Sequence, residues 1–195
     1  MKRVGIIGLL GGSLAVAIVS ASHAFASSRG ATACGGSAWR LGTLSDQDRS
    51  KVVLSPRSTT IGAIVARGTP QPLPRRRTTP FQRQTWQVVA EIAEYHLSGN
   101  VVHLTLSDDR VYLDAAIPAP SCLSSKSRAR SAIVGTWTKI TNDCRLHPID
   151  KSQPLGWVAY VTGVGGWTAA RGHGFAPNGA SLSPVTGLRI VAGCS

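Results

Sequence analysis

Residues 85–122 read TWQVVAEIAEYHLSGNVVHLTLSDDRVYLDAAIPAPSC, and the alternation inside this stretch decides the fold class. Across residues 101–107, Val102, Leu104 and Leu106 alternate with Val101, His103 and Thr105. Across residues 110–118, Val111, Leu113, Ala115 and Ile117 alternate with Tyr112, Asp114 and Ala116. A period of two sends neighbouring side chains to opposite faces of a sheet, so each run is a strand with one core face. Ser98-Gly99-Asn100 and Asp108-Asp109 supply the short polar or flexible residues that hairpin turns require. The run over 86–97 is more evenly balanced. Trp86, Val88, Ala90 and Ile92 fit a strand face, whereas Trp86, Val89, Ala90, Ala93 and Leu97 fit a helical stripe. Its Trp, Val, Ile and Tyr content favours the strand.

Beyond Cys122, Ser124 or Ser125 can cap a helix running to about Ile140. Ala129, Ala132, Ile133, Trp137 and Ile140 share one stripe of it, while Lys126, Arg128, Arg130 and Lys139 point elsewhere. Residues 141–156 read as a loop containing Cys144, His147-Pro148 and Pro154. A fourth strand over 157–167 sets Val158, Tyr160, Thr162 and Val164 against Trp157, Ala159 and Val161. Its Gly163, Gly165 and Gly166 predict a bend or bulge where another backbone comes close. A glycine-rich loop carrying Arg171 and His173 leads to a fifth strand over 182–191, which Pro184 would confine to an edge at that point. The order strand, strand, strand, helix, strand, strand is that of an oligonucleotide/oligosaccharide-binding (OB) barrel. The expected fold is therefore mainly β with one helix, an OB-like five-stranded Greek-key barrel over residues 81–195.

Upstream lies an N-terminal arm and connector over residues 27–80. Ser58-Thr59-Thr60 can cap a short helix over 61–66, ended by Gly68. Residues 68–80, GTPQPLPRRRTTP, hold four prolines and read as an extended, semi-rigid connector rather than packed structure. Arg75-Arg76-Arg77 there is the densest local positive charge. Such a triplet can contact phosphates, but on a linker it is more often simply solvated. At the very start, Lys2-Arg3, an apolar run over 4–19 and Ala24-Phe25-Ala26 make a secretory signal peptide over 1–26, cleaved before Ser27. An uncleaved anchor is the alternative; no later segment is long and apolar enough to span a membrane. The expected location is secreted, periplasmic or cell-envelope.

The chain carries 21 Lys and Arg against 9 acids, a formal net charge of +12. Such a balance favours polyanionic partners, single-stranded nucleic acid or an anionic glycan, although a basic composition alone argues association and not function. Cys34, Cys122, Cys144 and Cys194 form an even set in an exported chain, which points to two disulfides with three possible pairings. The absence of C-x-x-C, H-x-x-x-H and G-x-S-x-G spacings supports neither a thioredoxin-type site, nor a zinc site, nor a serine-hydrolase elbow. No metal or cofactor is expected.

Several motifs resemble those of a group of small exported bacterial proteins with no established function. They are Trp86 leading a strand, His103-Leu104-Thr105-Leu106, Ile117-Pro118-Ala119-Pro120-Ser121-Cys122, Val161 to Gly165, Ala176 to Gly179, and Leu182 to Val185. The resemblance implies the barrel fold and the pairings Cys34–Cys122 and Cys144–Cys194. The chain departs from the group where it carries Asn100-Val101-Val102 in place of an acidic pair, Ala116 in place of Glu and Ser183 in place of His. Any metal or catalytic site those groups form is thereby largely missing.

The site expected on the barrel joins His103, Tyr112, Trp167, Arg171 and His173, rings and positive charge of the kind that stack and hold single strands. Arg75, Arg76, Arg77, Lys126, Arg128 and Arg130 are the expected polyanion contacts. The functional reading is a disulfide-stapled binding or envelope-associated module, with a protein partner as a further class. The alternative is a metal-dependent hydrolase or nuclease-like enzyme around His103, Asp114 and His173, largely degenerate here.

Overall fold

The alternating stretch is a run of antiparallel strands, and it forms the centre of a six-stranded sheet. The computed structural model describes residues 34–147 and 149–194; the expected signal peptide lies outside them. The strands are β1 (Val53–Ser58), β2 (Gln84–Ser98), β3 (Val101–Asp108), β4 (Val111–Pro118), β5 (Gln153–Trp167) and β6 (Ala180–Ala192). Three short helices accompany them: α1 (Gly36–Gly42), α2 (Ile61–Val65) and α3 (Arg130–Thr138). The strand order is β1-β2-β3-β4-β6-β5, and β5 also pairs with β2, so five strands close partly into a ring. All ring pairs are antiparallel except β4 with β6, which run parallel over Asp114↔Ser181 and Ala115↔Leu182.

The period-two faces are as expected. Val88, Ile92, Val102, Leu104, Leu106, Leu113, Ala115, Ile117, Ala159 and Val161 are buried inside the ring. The turn between β3 and β4 falls one residue later than expected, on Asp109-Arg110, with φ of 47° and 64°. Two positive φ values in succession match the twist of a two-residue hairpin. Thr60 caps α2, its hydroxyl accepting from the Ala63 amide at 3.1 Å.

Several expectations are corrected. The helix begins at Arg130, not at Ser124 or Ser125. Before it, the Ser127 hydroxyl donates to the Thr43 carbonyl at 2.6 Å, and the Arg128 amide donates to the Leu44 carbonyl at 3.1 Å. Those ties to the arm hold residues 124–128 in turns. Thr136 takes the buried place on the helix expected for Ala132, which is exposed. β6 lies between β4 and β5, but its pairing with β4 ends at Leu182, so at Pro184 the strand has β5 alone as neighbour, in keeping with the expected local edge. The proline sits where the β5–β6 register slips, between Gly163↔Val185 and Gly165↔Leu182, so it forfeits no ladder bond. β1 is a sixth strand that the five-strand count lacks. It joins β2 in parallel at the sheet margin, with all six residues exposed.

Gly163 and Gly165 mark the expected close approach. A Cβ on Gly165 would stand 2.2 Å from the Phe81 carbonyl oxygen, so only glycine lets β5 pass the segment entering β2. A second apolar cluster, Leu44, Val52, Leu123, Ala129, Ile133 and Val164, fastens the arm to α3 and β5. The disulfides are Cys34–Cys122 and Cys144–Cys194, the pairing that the resemblance implies.

Residues 68–80 carry no helix or strand, as their prolines require, but they are packed and not a free connector. Arg77 is 2 % exposed. Its Nε donates to Asp46 Oδ2 at 3.1 Å, one terminal nitrogen to the Gln82 carbonyl at 3.2 Å and the other to the Leu41 carbonyl at 2.6 Å. Asp46→Ala strips a buried guanidinium of its counter-charge. Denaturant unfolding of the oxidised protein should show a loss of about 3–5 kcal/mol; a loss below ~1 kcal/mol would place Arg77 in water instead. Gly165→Ala should destabilise the protein by at least ~1–3 kcal/mol in the same assay, since a backbone must shift to admit the methyl group.

Candidate functional site

Strand alternation fixes the floor of the largest cavity. β3 presents Val101 and His103, β4 presents Asp114 and Ala116, and β6 presents Ser181 and Ser183, all outside the ring. Residues 38–43, mostly in α1, and the proline-bearing segment at Leu73, Pro74 and Arg75 roof this face. The groove is half open and holds about 600 Å³, within the ~300–1,000 Å³ usual for small-ligand sites. Trp39 and Trp167 line it, and their indole nitrogens are already engaged. Trp39 Nε1 donates to the Cys122 carbonyl at 3.3 Å, and Trp167 Nε1 donates to Thr79 Oγ1 at 3.2 Å. What the two residues offer to the cavity is apolar ring surface.

His103 and Asp114 form the polar centre. Thr105 faces Asp114 in the β3–β4 register, so Asp114 lies diagonal to His103, and His103 Nδ1 donates to Asp114 Oδ1 at 2.7 Å. Burial works to lower the His103 pKa, but the hydrogen bond and charge of Asp114 outweigh it, and the net shift is upward. The His96 ring, cross-strand from His103, stacks on it at 5.1 Å between centroids with 12° between planes. Burial first, and then the like charge of His103, hold His96 below its ordinary value. The result is a hydrogen-bonded imidazole–carboxylate pair in the floor, with a second ring stacked beside it whose pKa moves the opposite way.

The expected patch is divided. His103 and Trp167 share the large cavity. Tyr112 and His173 meet each other, with ring centroids 4.8 Å apart; His173 lines an adjoining smaller cavity with His96 and Asp114, and its Nε2 lies 3.2 Å from Glu94 Oε1. Glu94 also accepts from the Ser152 hydroxyl at 2.5 Å. That bond leads in holding its carboxyl below the usual range, and His173 adds to the effect. Arg171 is exposed and turns back on its own loop, donating to the Thr168 and Ala170 carbonyls.

The expected polyanion contacts divide as well. Arg77 is buried and therefore no surface contact. Arg76 is exposed but grips Asp48 with two bonds of 2.8 and 3.1 Å. Arg76, and then Lys51, hold the Asp48 carboxyl well below the usual carboxylate range. Arg128 donates to the Arg49, Ser50 and Val52 carbonyls, and Arg130 to the Leu123 carbonyl. Arg75 and Lys126 have no carboxylate partner among the described residues. Of these two, only Arg75 lines the large cavity. Among the described residues, no three His, Cys, Asp or Glu side chains converge as a metal site.

Sequence reasoning missed His96, Ser181 and Ser183, and the whole roof. Counting back across the two-residue turn would have set His96 opposite His103. No local signal announces a roof brought from sixty residues upstream.

No family profile matches the chain, and no curated protein matches it in sequence. A solved structure with a similar trace is a Leishmania major Friedlin chain described as an aspartyl-tRNA synthetase. It is 10 % identical with a TM-score of 0.42, and the match covers 74 % of this chain and 22 % of that one. The similarity thus spans about a fifth of the length of that protein.

Asp114→Asn leaves His103 with burial but no counter-charge. The His103 midpoint, read by NMR titration of the ring, should lie above the ordinary histidine value in the native protein and below it in the variant. A folded pKa above the unfolded one means that this pair contributes fully below the unfolded value and is lost as pH rises through the folded one. The stability difference between native protein and variant should therefore narrow on going from mildly acidic to mildly alkaline pH. A difference that widened would show His103 to be neutral in the fold.

Proposed function

We propose that this chain is an exported, disulfide-stapled, OB-like binding module whose ligand is anionic and docks in the roofed groove over β3, β4 and β6. The barrel part of this reading is supported by the ring order β2-β3-β4-β6-β5, by its single parallel pair β4/β6, and by a helix between the third and fourth ring strands. Two disulfides among the described residues are compatible with an oxidising compartment after signal-peptide removal. The same reading includes the resemblance to small exported proteins.

One observation carries the ligand assignment. Arg75 has no carboxylate or carbonyl partner among the described residues, and it lines a cavity of about 600 Å³ that also holds His103 and Trp167. A groove with ring surface, an imidazole–carboxylate pair and such a guanidinium suits an anionic group attached to a flat or ring-shaped body. A hydrolase is the second reading, favoured by the His103–Asp114 bond, which orients an imidazole as a general base requires. His173, the third group expected there, lines a second cavity with Asp114 and is bonded to Glu94. Hydrolysis that survives His103→Ala would remove this reading.

The test measures binding of the oxidised protein to labelled oligothymidylate and to an anionic oligosaccharide over a range of salt. At least one should bind, weakening with salt over a shallow slope of about one counterion, because among the described residues Arg75 is the one lining arginine not held by a carboxylate or carbonyl. Arg75→Ala should weaken it about tenfold, and Trp167→Phe by less. No binding at low salt, or binding indifferent to Arg75→Ala, overturns the proposal.

A further inference from the structure

The groove differs from a phosphate track in ways that point to one ligand class. A polyphosphate strand needs a succession of free cations, and here the neighbouring arginines are held by carboxylates or carbonyls. Asp114 also faces the cavity. Its Oδ1 is on His103, and its Oδ2 has no partner among the described residues. An unshared carboxylate oxygen repels a phosphodiester but accepts hydroxyl protons well. Ser181 and Ser183, two residues apart on β6, line the same space with hydroxyls that have no side-chain partner among the described residues. In the parallel register Ser181 is directly beside Asp114.

A row of hydroxyl, hydroxyl and carboxylate oxygens is a surface for several ligand hydroxyls, each of which both donates and accepts. Across the cavity, Trp39 and Trp167 have their indole nitrogens engaged and present apolar ring surface, which the C–H face of a sugar ring covers. Arg75 adds a planar fork of donors that matches a carboxylate with two parallel bonds.

We propose that the groove takes a pyranose ring bearing a carboxylate, a uronate unit of an acidic glycan. The carboxylate sits on Arg75 and the ring hydroxyls on Asp114, Ser181 and Ser183. This rests on the binding reading above and narrows its ligand from anions in general to acidic sugars. Nucleic acid is the excluded alternative. Asp114 shares the cavity with Arg75, and its carboxylate repels the succession of phosphates that a strand would bring.

The decisive experiment uses calorimetric titration of the oxidised protein with tetrasaccharides of galacturonate, glucuronate and mannuronate, with their methyl esters, and with oligothymidylate of matched charge. At least one uronate should bind, and esterification should weaken it by about tenfold. In Arg75→Ala that penalty should fall to less than about twofold, because the ester and the mutation remove the same contact. Ser183→Ala should weaken acid and ester alike. If oligothymidylate binds through Arg75 while no uronate does, the groove remains a binding site and the sugar assignment is overturned. If nothing binds, both readings fall together. Equal affinity for acid and ester would overturn the pairing of Arg75 with a carboxylate.

Discussion

A buried guanidinium fixes the proline-bearing segment against the N-terminal arm and the entry to the sheet. Arg77 reaches Asp46, the Leu41 carbonyl at the end of α1 and the Gln82 carbonyl at the entry to β2, and its own carbonyl accepts from Arg83 Nε at 2.7 Å. Removing such a charge from water is costly, and the structure answers with one carboxylate and two carbonyls placed around the planar fork. Four segments with no strand or helix in common thereby acquire fixed relative positions. An apolar side chain of the same volume could fill the space but could not orient three backbones.

That anchoring turns a sheet face into a groove. Without the arm, the outer face of β3, β4 and β6 would be an open surface with a histidine, a carboxylate and two serines on it. With the arm in place, Trp39, Leu73, Pro74 and Arg75 stand over that floor, and the His103–Asp114 pair lies in a partly dry setting. Burial alone would lower the His103 pKa; the hydrogen bond and charge of Asp114 outweigh it and carry the shift upward. The arm also distributes charge. Asp46 and Asp48 neutralise Arg77 and Arg76, so the cation of the triplet left for a ligand is Arg75. A strongly basic composition thus leaves, among the described residues of the triplet, one arginine without a carboxylate partner.

Ring closure depends on equally particular positions. β5 pairs with both β2 and β6, and its curvature is taken up at register slips around Gly163 and Gly165. The contact of β4 with β6 is only two residue pairs long. Closure there relies on the glycines that let β5 pass Phe81 and Leu182.

The sequence by itself determined the strands β2 to β5, most of their inward faces, the short helix capped by Thr60, and the glycine bulge. These follow from period-two alternation, turn chemistry and capping, which act between residues a few positions apart. It also placed His103 and Trp167 at a common site. Tertiary structure alone decided the fate of the arginine triplet, because a run of three like charges reads as solvated until the acids that bury one of them are brought in from thirty residues away. It decided where α3 starts, since the bonds to Thr43 and Leu44 that hold residues 124–128 out of the helix come from the distant arm. It set His173 in a second cavity that shares Asp114 with the first, and it supplied the roof. A roof is made of contacts between segments distant in the chain, and pairings at that range leave no periodic trace in the residues that form them.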